Sequence, residues 1–264
     1  PVVSKPVVQF ALKVPGVNTI IYKKIREKLL DAFGGKVQMF IMGGAALNPE
    51  VEMWFRKIGL PFTIGYGMTE AAPLLAYENW KKFVLRSCGK AVDRAEVRID
   101  SEDPQNVVGQ IQARGTSIMS GYYKNDEATK AAFSEDGWLN TGDLGVIDAD
   151  GNIFIRGRSK NMILSSNGQN IYPEEIEAAV NNQPYVVESV VVDRASKLVA
   201  LVYLDQKQIE TDGLDGEALS EKMHDMQVIL NKSLPSYSQI SKVEIVDKPF
   251  EKTPKMSIKR FLYR

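Results

Sequence analysis

Features that mark special classes of protein are scarce in this sequence. It contains one cysteine, Cys88, and one histidine, His224. A single cysteine cannot form an internal disulfide, so the expected compartment is the reducing cytoplasm. His224 lies in a polar stretch with helical spacing, which indicates a surface residue, and no catalytic role is assigned to it.

An excess of charge of one sign and a long apolar run are missing as well. Lys and Arg together number 33, and so do Asp and Glu. This balance argues against electrostatic binding to nucleic acid. No apolar run approaches the roughly 20 residues that span a bilayer, and the first residues do not resemble a signal peptide. Peripheral contact with a membrane stays open, and so does the oligomeric state.

What remains is the composition of an ordinary globular protein. The 264 residues are 44% hydrophobic and 25% charged, which is enough for one large domain or two smaller ones with a proper core. The residue pattern changes near Gly89 and again after Gly157, so three successive parts are expected.

The first part predicts a βαβ unit. Residues 17–34 have apolar side chains at helical spacing, and a buried strand follows at 36–42. A second helix is expected from Asn48, as its cap, to Gly59, and a second strand at 61–64. Strand, helix and strand in this order favour a parallel sheet.

The second and third parts predict different structures. Short alternating runs at 95–99, 109–113 and 145–155 predict a small antiparallel sheet or barrel, with an inserted helix at 125–133. Beyond Gly157 the pattern is that of a compact α+β unit of about 105 residues, large enough to fold by itself. Its expected elements are strands at 162–164, 170–172, 186–192, 198–204 and 243–246, with helices from Pro173 and at 215–233.

The strongest motif is the glycine loop Gly65–Glu70, directly after a predicted strand. Loops at the carboxyl ends of strands are where open α/β sheets bind ligands. Tyr66 offers a flat face for a base, Thr69 offers a hydroxyl for a phosphate oxygen, and Glu70 offers a carboxylate suited to Mg²⁺. The same residues are equally compatible with a structural turn.

Three further motifs are weak when each is taken alone. Asp143, held by a predicted glycine turn at Gly142, could accept hydrogen bonds from both hydroxyls of a ribose, although Gly-Asp is common in turns. Arg158, followed by Lys160, could reach a ribose or a phosphate, or could be part of a solvated basic turn. The polar turn around Gly168 is by itself an ordinary hairpin turn.

Taken in order, these motifs resemble the successive core motifs of the adenylate-forming superfamily, which includes acyl-CoA synthetases, peptide-synthetase adenylation domains and luciferase. The matching stretches are Y-G-M-T-E at 66–70, W-L-N-T-G-D at 138–143, G-R-S-K-N-M-I at 157–163 and Y-P-E-E-I-E at 172–177. The resemblance covers essentially the whole chain. S-S-N-G-Q-N-I-Y-P at 165–173 and G-G-A-A-L at 43–47 resemble bacterial long-chain fatty-acyl-CoA synthetases most.

The resemblance implies a nucleotide site around the first motif. Gly65 and Tyr66 would line the adenine of ATP or AMP, with the ring of Tyr66 stacked on it. Gly44 and Ala45 would lie near the adenine and the carboxylate of the acid. Thr69 would contact the α-phosphate, as its hydroxyl chemistry suggests.

The remaining motifs are assigned roles in the same way. Glu70 would help to hold Mg²⁺. Asp143 would bind both ribose hydroxyls, assisted by Arg158. Lys160 would be the hinge of a mobile C-terminal domain, and Gly168 would lie in the hairpin that shapes the tunnel for coenzyme A.

Two departures from the family pattern stand out. The glycine-rich phosphate loop of the family is absent, so the sequence is expected to be the C-terminal part of a protein about twice as long. At 253–260 the family pattern T-x-x-G-K-I-x-R is altered, and Ser257 stands where the family has a catalytic lysine. Lys255 and Lys259 lie two residues to either side, and in an extended segment either would point to the same side as Ser257. Solvated tail charges are the alternative.

The expected architecture is therefore mixed α/β and α+β. Residues 1–159 would be the C-terminal part of the large AMP-binding domain, with the βαβ unit at 1–88 and a β-rich subdomain at 89–159. Residues 160–264 would be the small mobile domain. The implied activity is a long-chain fatty-acid–CoA ligase that uses ATP, Mg²⁺ and coenzyme A. The alternatives are another adenylate-forming ligase (an aryl-CoA ligase, an acyl-AMP ligase or a peptide-synthetase adenylation domain) and a non-catalytic nucleotide-binding relative.

Overall fold

The computed structural model describes residue 14 and residues 16–44, 46–254 and 256–264. Ala45 and Lys255, both predicted site residues, lie outside the described residues. The chain divides into two compact units. The first unit contains the described residues up to Val97 together with Ala113–Thr129 and Ile147–Phe154. The second unit contains Arg98–Gln112, Lys130–Val146 and Ile155–Arg264.

The first unit contains the predicted βαβ arrangement. Its elements are α1 (Val17–Ala32), β1 (Phe40–Met42), α2 (Pro49–Ile58) and β2 (Phe62–Ile64). Strands β1 and β2 are parallel, with Phe40 opposite Phe62, which confirms the prediction. The side chain of Asn48 accepts hydrogen bonds from the amides of Glu50 and Val51, so it caps α2 as expected. Gly59 ends α2 in the left-handed conformation.

A small apolar core holds the strands of this unit in place. Its buried members are Ile58, Leu60, Phe62 and Phe83, and the apolar face of α1 packs against them. The rings of Phe62 and Phe83 meet edge to face with their centroids 5.5 Å apart. Because this core fixes β2, it also fixes the start of the glycine loop that follows β2.

A second sheet of the first unit continues from that loop. It consists of β3 (Tyr66–Gly67), β4 (Leu74–Tyr77) and β5 (Lys90–Ala91), in the order β3-β4-β5. Both pairs are antiparallel. The motif at 65–70 is therefore not only a loop, because its residues Tyr66 and Gly67 form a short strand.

The β-rich middle of the chain is an open sheet. It has four strands in the order β6-β7-β8-β9, with bounds β6 (Ala95–Asp100), β7 (Gly109–Gly115), β8 (Leu139–Ile147) and β9 (Ile153–Arg158), and α3 (Asp126–Ala132) between β7 and β8. Within the described residues no pairing joins β6 to β9, so the sheet is not closed into the barrel considered from the sequence. Gly142 and Asp143 lie within β8, whereas the sequence placed them in a turn.

The rest of the second unit is an α+β fold around a three-stranded sheet. Its elements are β10 (Ile163–Leu164), β11 (Asn170–Ile171), α4 (Pro173–Val180), β12 (Val186–Arg194), β13 (Lys197–Leu204), α5 (Gln206–Asp212), α6 (Gly216–Ser233) and β14 (Ile240–Val246). Strand β13 pairs antiparallel with β12 and parallel with β14. Helix α5 was not predicted, although Asp205 caps it and Gly213 ends it. The exposed His224 on α6 confirms the surface prediction.

Both faces of this three-stranded sheet are covered, which explains why β13 is apolar almost throughout and why β12 contains three consecutive valines. On one face Val191 and Ala200 pack in a core with residues of α4 and α6, such as Val180 and Met226. On the other face Val190, Val192, Val199 and Leu201 pack with Phe250. Successive residues of a strand point to opposite faces, so neighbouring valines serve different cores.

The last residues of the second unit are held by a buried ion pair. Arg260 forms a charged hydrogen bond with Glu177 of α4. The same carboxylate accepts a hydrogen bond from the amide of Val191 at 2.6 Å, and the guanidinium of Arg260 donates to the carbonyl of Val191 at 3.5 Å. Burial raises the pKa of Glu177 to about 7, and the charge of Arg260 opposes this shift. The pair therefore connects α4, β12 and the C-terminal segment.

No helix in the described part of the chain is both long enough and apolar enough to cross a membrane.

Candidate nucleotide-binding site

The loop after β2 can only be built with glycine at one of its positions. A Cβ atom on Gly67 would lie 1.9 Å from the carbonyl oxygen of Pro73, because β3 and the chain before β4 approach closely there. The amide of Met68 donates to the same oxygen at 2.8 Å. The Gly67 position thus fixes the sharp return of the chain that presents Thr69 and Glu70.

Replacing Gly67 by alanine should destabilise the protein by about 3 kcal/mol, because the backbone must move to admit the methyl group. Gly34→Ala is the control. Gly34 has a positive φ, 86°, which Gly67 does not have, and a Cβ there would meet no atom within 4 Å. A loss of about 1 kcal/mol is therefore expected from its backbone conformation alone. Urea unfolding of the two variants measures the difference. Equal losses would show that the close approach at Gly67 can relax.

The neighbouring glycines bring two loops of the first unit together. The amide of Gly65 donates to the carbonyl of Met42 at 2.7 Å, in continuation of the parallel pair. A Cβ on Gly43 would lie 2.9 Å from the carbonyl oxygen of Gly65. Gly44 follows with φ 89°. The predicted positions Gly44 and Gly65 therefore belong to adjacent loops at the carboxyl ends of β1 and β2, where α/β sheets bind ligands.

The predicted base-stacking residue is more enclosed than the sequence suggested. Tyr66 lies in β3 opposite Ala76 and is only 6% exposed. Its role in stacking on adenine stays a prediction.

Thr69 and Glu70 lie on a short 3-10 helix, Thr69–Ala71. Thr69 is exposed and Glu70 is half-buried. The phenol of Tyr122 donates a hydrogen bond to Oε1 of Glu70 at 3.0 Å, and the amide of Met119 donates to the Glu70 carbonyl at 2.8 Å. The hydrogen bond to the Glu70 carboxylate raises the pKa of Tyr122. Sequence reasoning missed Tyr122. The run G-Y-Y at 121–123 is the signal that could have identified it.

The surroundings of Glu70 fit a magnesium ion that is shared with substrate phosphates. Among the described residues no group of three His, Cys, Asp or Glu side chains could hold a metal ion. Mg²⁺ does not need such a group, because it is often bound by one or two carboxylates together with phosphate oxygens and water. Glu70 supplies one hard oxygen ligand, and within the described residues its Oε2 accepts no hydrogen bond.

In the second unit the structure brings two predicted residues together. Nε of Arg158, at the end of β9, lies 2.9 Å from Oδ1 of Asp143 in β8, and the Asp143 side chain is only 9% exposed. The amide of Asp143 donates to the hydroxyl of Thr141 at 3.1 Å, and this hydroxyl donates to the carbonyl of Ile111 at 2.7 Å. Gly142 has φ 75°, which distorts the strand just before Asp143. Asp143 is therefore held both by its backbone and by the guanidinium beside it.

The predicted hinge and hairpin residues also lie in the second unit. Lys160 is in a short 3-10 helix, Ser159–Asn161, and its carbonyl accepts a hydrogen bond from Arg264 at 2.7 Å. Gly168, with φ 80°, is in the exposed turn between β10 and β11. Its amide donates to the carbonyl of Ser165 at 3.0 Å. The positive φ explains the glycine, while the roles of Lys160 and Gly168 stay predictions.

The lysine candidates near the C-terminus are less well supported. The chain forms a bridge between Lys252 and Ile258, and the amide of Thr253 donates to the carbonyl of Ser257 at 2.8 Å. Thr253 and Ser257 are thus hydrogen-bonded to each other, whereas an extended segment would hold them far apart. Lys255 lies outside the described residues, so its role stays a prediction. Lys259 pairs with Glu251 at 3.2 Å, so its ammonium group already has an anionic partner.

The sequence matches two family models. One, described as AMP-binding enzyme, matches residues 9–123. The other, described as AMP-binding enzyme C-terminal domain, matches residues 160–263. The chain belongs to the AMP-binding enzyme family. The membership predicted from the four ordered motifs is confirmed, and with it the mixed α/β and α+β fold.

Relatives within this AMP-binding family differ in the acid and in the acceptor. The chain is 32% identical over 263 residues to a chloroplastic long-chain-fatty-acid–[acyl-carrier-protein] ligase of Arabidopsis thaliana, covering 91% of the chain and 35% of that protein. It is also 32% identical over 199 residues to 2-succinylbenzoate–CoA ligase of Bacillus cytotoxicus, covering 71% of the chain and 41% of that protein. The family relationship is thus one to acid–thiol ligases.

The same relationship is visible in three dimensions. The crystal structure of ATP-bound MatB from Rhodopseudomonas palustris superimposes with a TM-score of 0.72 and 27% identity, covering 93% of the chain and 49% of that structure. The AMP-binding chain described here thus spans 35 to 41% of the length of the two curated relatives named above and about half of this solved structure.

Proposed function

We propose that the complete protein is an ATP-dependent ligase that joins a long-chain fatty acid to coenzyme A. The Arabidopsis relative supports the long-chain acid, and the Bacillus relative supports coenzyme A as acceptor. The S-S-N-G-Q-N-I-Y-P turn at 165–173 supports both. An acyl carrier protein is the alternative acceptor, and an aryl acid is the alternative donor.

The proposed reaction has two steps. In the first, a carboxylate oxygen of the acid attacks the α-phosphorus of ATP, the bond to the bridging oxygen breaks, and pyrophosphate leaves. In the second, the sulfur of coenzyme A attacks the acyl carbonyl carbon, loses its proton, and AMP leaves with the electron pair of the broken C–O bond. Both steps depend on positioning and on stabilising negative charge.

Residues of the first unit suit the phosphate end of the substrate. The exposed hydroxyl of Thr69 can donate to an oxygen of the α-phosphate, and Gly44 and Gly65 allow close approach of a ligand to the backbone. The Glu70 carboxylate would hold Mg²⁺, which would supply positive charge to the phosphate oxygens.

The single observation that carries the nucleotide assignment is the geometry of Asp143 and Arg158. A firmly held, nearly buried carboxylate beside a guanidinium can accept two hydrogen bonds from vicinal ribose hydroxyls. A surface ion pair without function would not need the fixed backbone that Thr141 and Gly142 give to Asp143.

The two steps need different groups, and a domain rotation is the proposed switch between them. The boundary would lie between residues 159 and 160, with residues 160–264 as the mobile domain. The start of the C-terminal family match at residue 160 supports this boundary. Lys160 would act as the hinge, and the turn of Gly168 would help to shape the path of the thiol.

Acid-dependent exchange of labelled pyrophosphate into ATP tests the proposal in the complete protein. Long-chain fatty acids should drive exchange, while aromatic acids and amino acids should not. Addition of coenzyme A or of an acyl carrier protein to the preformed adenylate then identifies the acceptor. Exchange with an aryl acid alone would overturn the long-chain assignment.

A non-catalytic nucleotide-binding protein is the second candidate, and Ser257 is the observation that favours it. If the complete protein binds AMP but no acid drives exchange, Ser257 marks a disabled site. In that case neither Lys255 nor Lys259 replaces the missing lysine.

A further inference from the structure

The contact between Tyr122 and Glu70 has a one-sided geometry. The phenol of Tyr122 donates to Oε1 of Glu70, while Oε2 accepts no hydrogen bond among the described residues. A carboxylate without such a partner can rotate about its last side-chain bond, which has a broad range of angles. The hydrogen bond restricts this rotation and leaves one defined oxygen for another ligand.

The position of Tyr122 is itself fixed by the turn that contains it. Its amide donates to the hydroxyl of Thr129 at 2.8 Å, and this hydroxyl donates to the carbonyl of Asn125 at 2.8 Å. Gly121 permits this arrangement, because a Cβ there would lie 2.7 Å from Cγ2 of Thr129. The chain also contacts Glu70 a second time, through the amide of Met119. The phenol thus reaches Glu70 from a rigid support.

The chemistry of the donor suits a carboxylate that must bind a cation. A lysine or arginine at this place would orient Glu70 equally well, but its charge would repel Mg²⁺. A phenol is neutral, so it orients the carboxylate without placing a positive charge beside the metal. Hydrogen bonds that orient metal-binding side chains in this way commonly affect metal affinity.

We propose that Tyr122 is a positioning residue that holds the Glu70 carboxylate in the orientation needed to bind the Mg²⁺ of Mg·ATP. The proposal rests on the proposed function, because it takes Glu70 as the metal ligand. It assigns to the G-Y-Y run at 121–123 a role in the reaction that is distinct from contact with the substrate.

The test compares Tyr122→Phe with Tyr123→Phe in the complete protein. Tyr123 is the matched control, because it is the adjacent tyrosine and is 89% exposed. Calorimetric titration measures the affinity for ATP with excess Mg²⁺ and again with EDTA. Mg²⁺ should increase the ATP affinity of the wild type, and we expect Tyr122→Phe to make this increase smaller by a factor on the order of 10. The ATP affinity measured in EDTA should not change. The Tyr123→Phe variant should behave as the wild type.

A double variant separates positioning from a structural role. If Tyr122 acts through Glu70, then adding Tyr122→Phe to Glu70→Gln should not further reduce the increase in ATP affinity caused by Mg²⁺. Equal loss of ATP affinity with and without Mg²⁺, or an additive effect in the double variant, would overturn the proposal.

The pyrophosphate exchange separates this proposal from the proposed function. Suppose that pyrophosphate exchange by the wild type requires Mg²⁺ and that Tyr122→Phe requires the same concentration of Mg²⁺. This result would overturn only the role of Tyr122. Absence of exchange in the wild type would count against the ligase, while the Mg²⁺-dependent ATP affinity would still decide the role of Tyr122.

Discussion

Replacing Asp143 by asparagine should lower the affinity of the complete protein for AMP on the order of 100-fold. A carboxylate that accepts hydrogen bonds from two ribose hydroxyls makes two charge-assisted bonds, each worth about 1.5–3 kcal/mol. The amide keeps the shape but loses the charge and one acceptor oxygen. A loss of about 3 kcal/mol corresponds to a hundredfold change in the dissociation constant. Calorimetric titration with AMP measures it.

The control for this substitution is Asp150→Asn. Asp150 lies in the exposed turn between β8 and β9, so its change should leave AMP affinity as it is. Arg158→Gln should have a smaller effect, about tenfold, because the Arg158 side chain is 55% exposed. If Asp143→Asn lowers the melting temperature but not the affinity for AMP, the pair with Arg158 is structural and the ribose assignment is wrong.

Replacing Arg260 by alanine should lower the free energy of unfolding by about 3–5 kcal/mol. The substitution leaves the carboxylate of Glu177, only 10% exposed, without its cationic partner in the core of the second unit. Urea unfolding measures the loss, and faster exchange of the Val191 amide, which donates to Glu177, would locate it. Arg194→Ala is the control, since the Arg194–Glu244 pair is exposed and should contribute less than about 1 kcal/mol.

The loss caused by Arg260→Ala should depend on pH. Burial raises the pKa of Glu177 to about 7, from 4.5 in the unfolded chain. The folded state therefore holds its proton more tightly, and the stability from this proton is complete below pH 4.5 and is lost as pH rises through 7. As the pH rises from 4.5 to 7, the free energy of unfolding of the wild type should thus fall relative to that of Glu177→Gln.

The same titration sets how much Arg260 contributes. Arg260 has the most to stabilise when Glu177 is ionised, so the cost of Arg260→Ala should be larger at pH 8 than at pH 5. A cost that is the same at both values would show that Glu177 does not change its ionisation state between pH 5 and pH 8.

Local sequence signals were sufficient where one short segment contained all the determinants. The cap at Asn48 and the stop at Gly59 defined α2, and apolar strands on either side predicted the parallel pair. Helix α5 shows the limit of such signals. Its seven residues have a cap at Asp205 and a stop at Gly213, but such a short segment does not show helical periodicity clearly.

Gly142 and Asp143 show how a local rule can point the wrong way. Gly-Asp is common in turns, and the sequence was interpreted accordingly. In the fold Gly142 adopts a positive φ within β8, because pairing with neighbouring strands holds the chain on both sides of it. The function assigned to Asp143 did not depend on this error.

The sequence by itself determined the family, the order of the motifs and most elements of the fold, because these depend on residue types at fixed spacings. Only the tertiary structure decided which side chains meet. Glu70 and Tyr122 are 52 residues apart, Glu177 and Arg260 are 83 apart, and Gly67 is confined by a carbonyl group of the returning chain. Such contacts are set by how the elements pack against each other, and no spacing along a single segment encodes them.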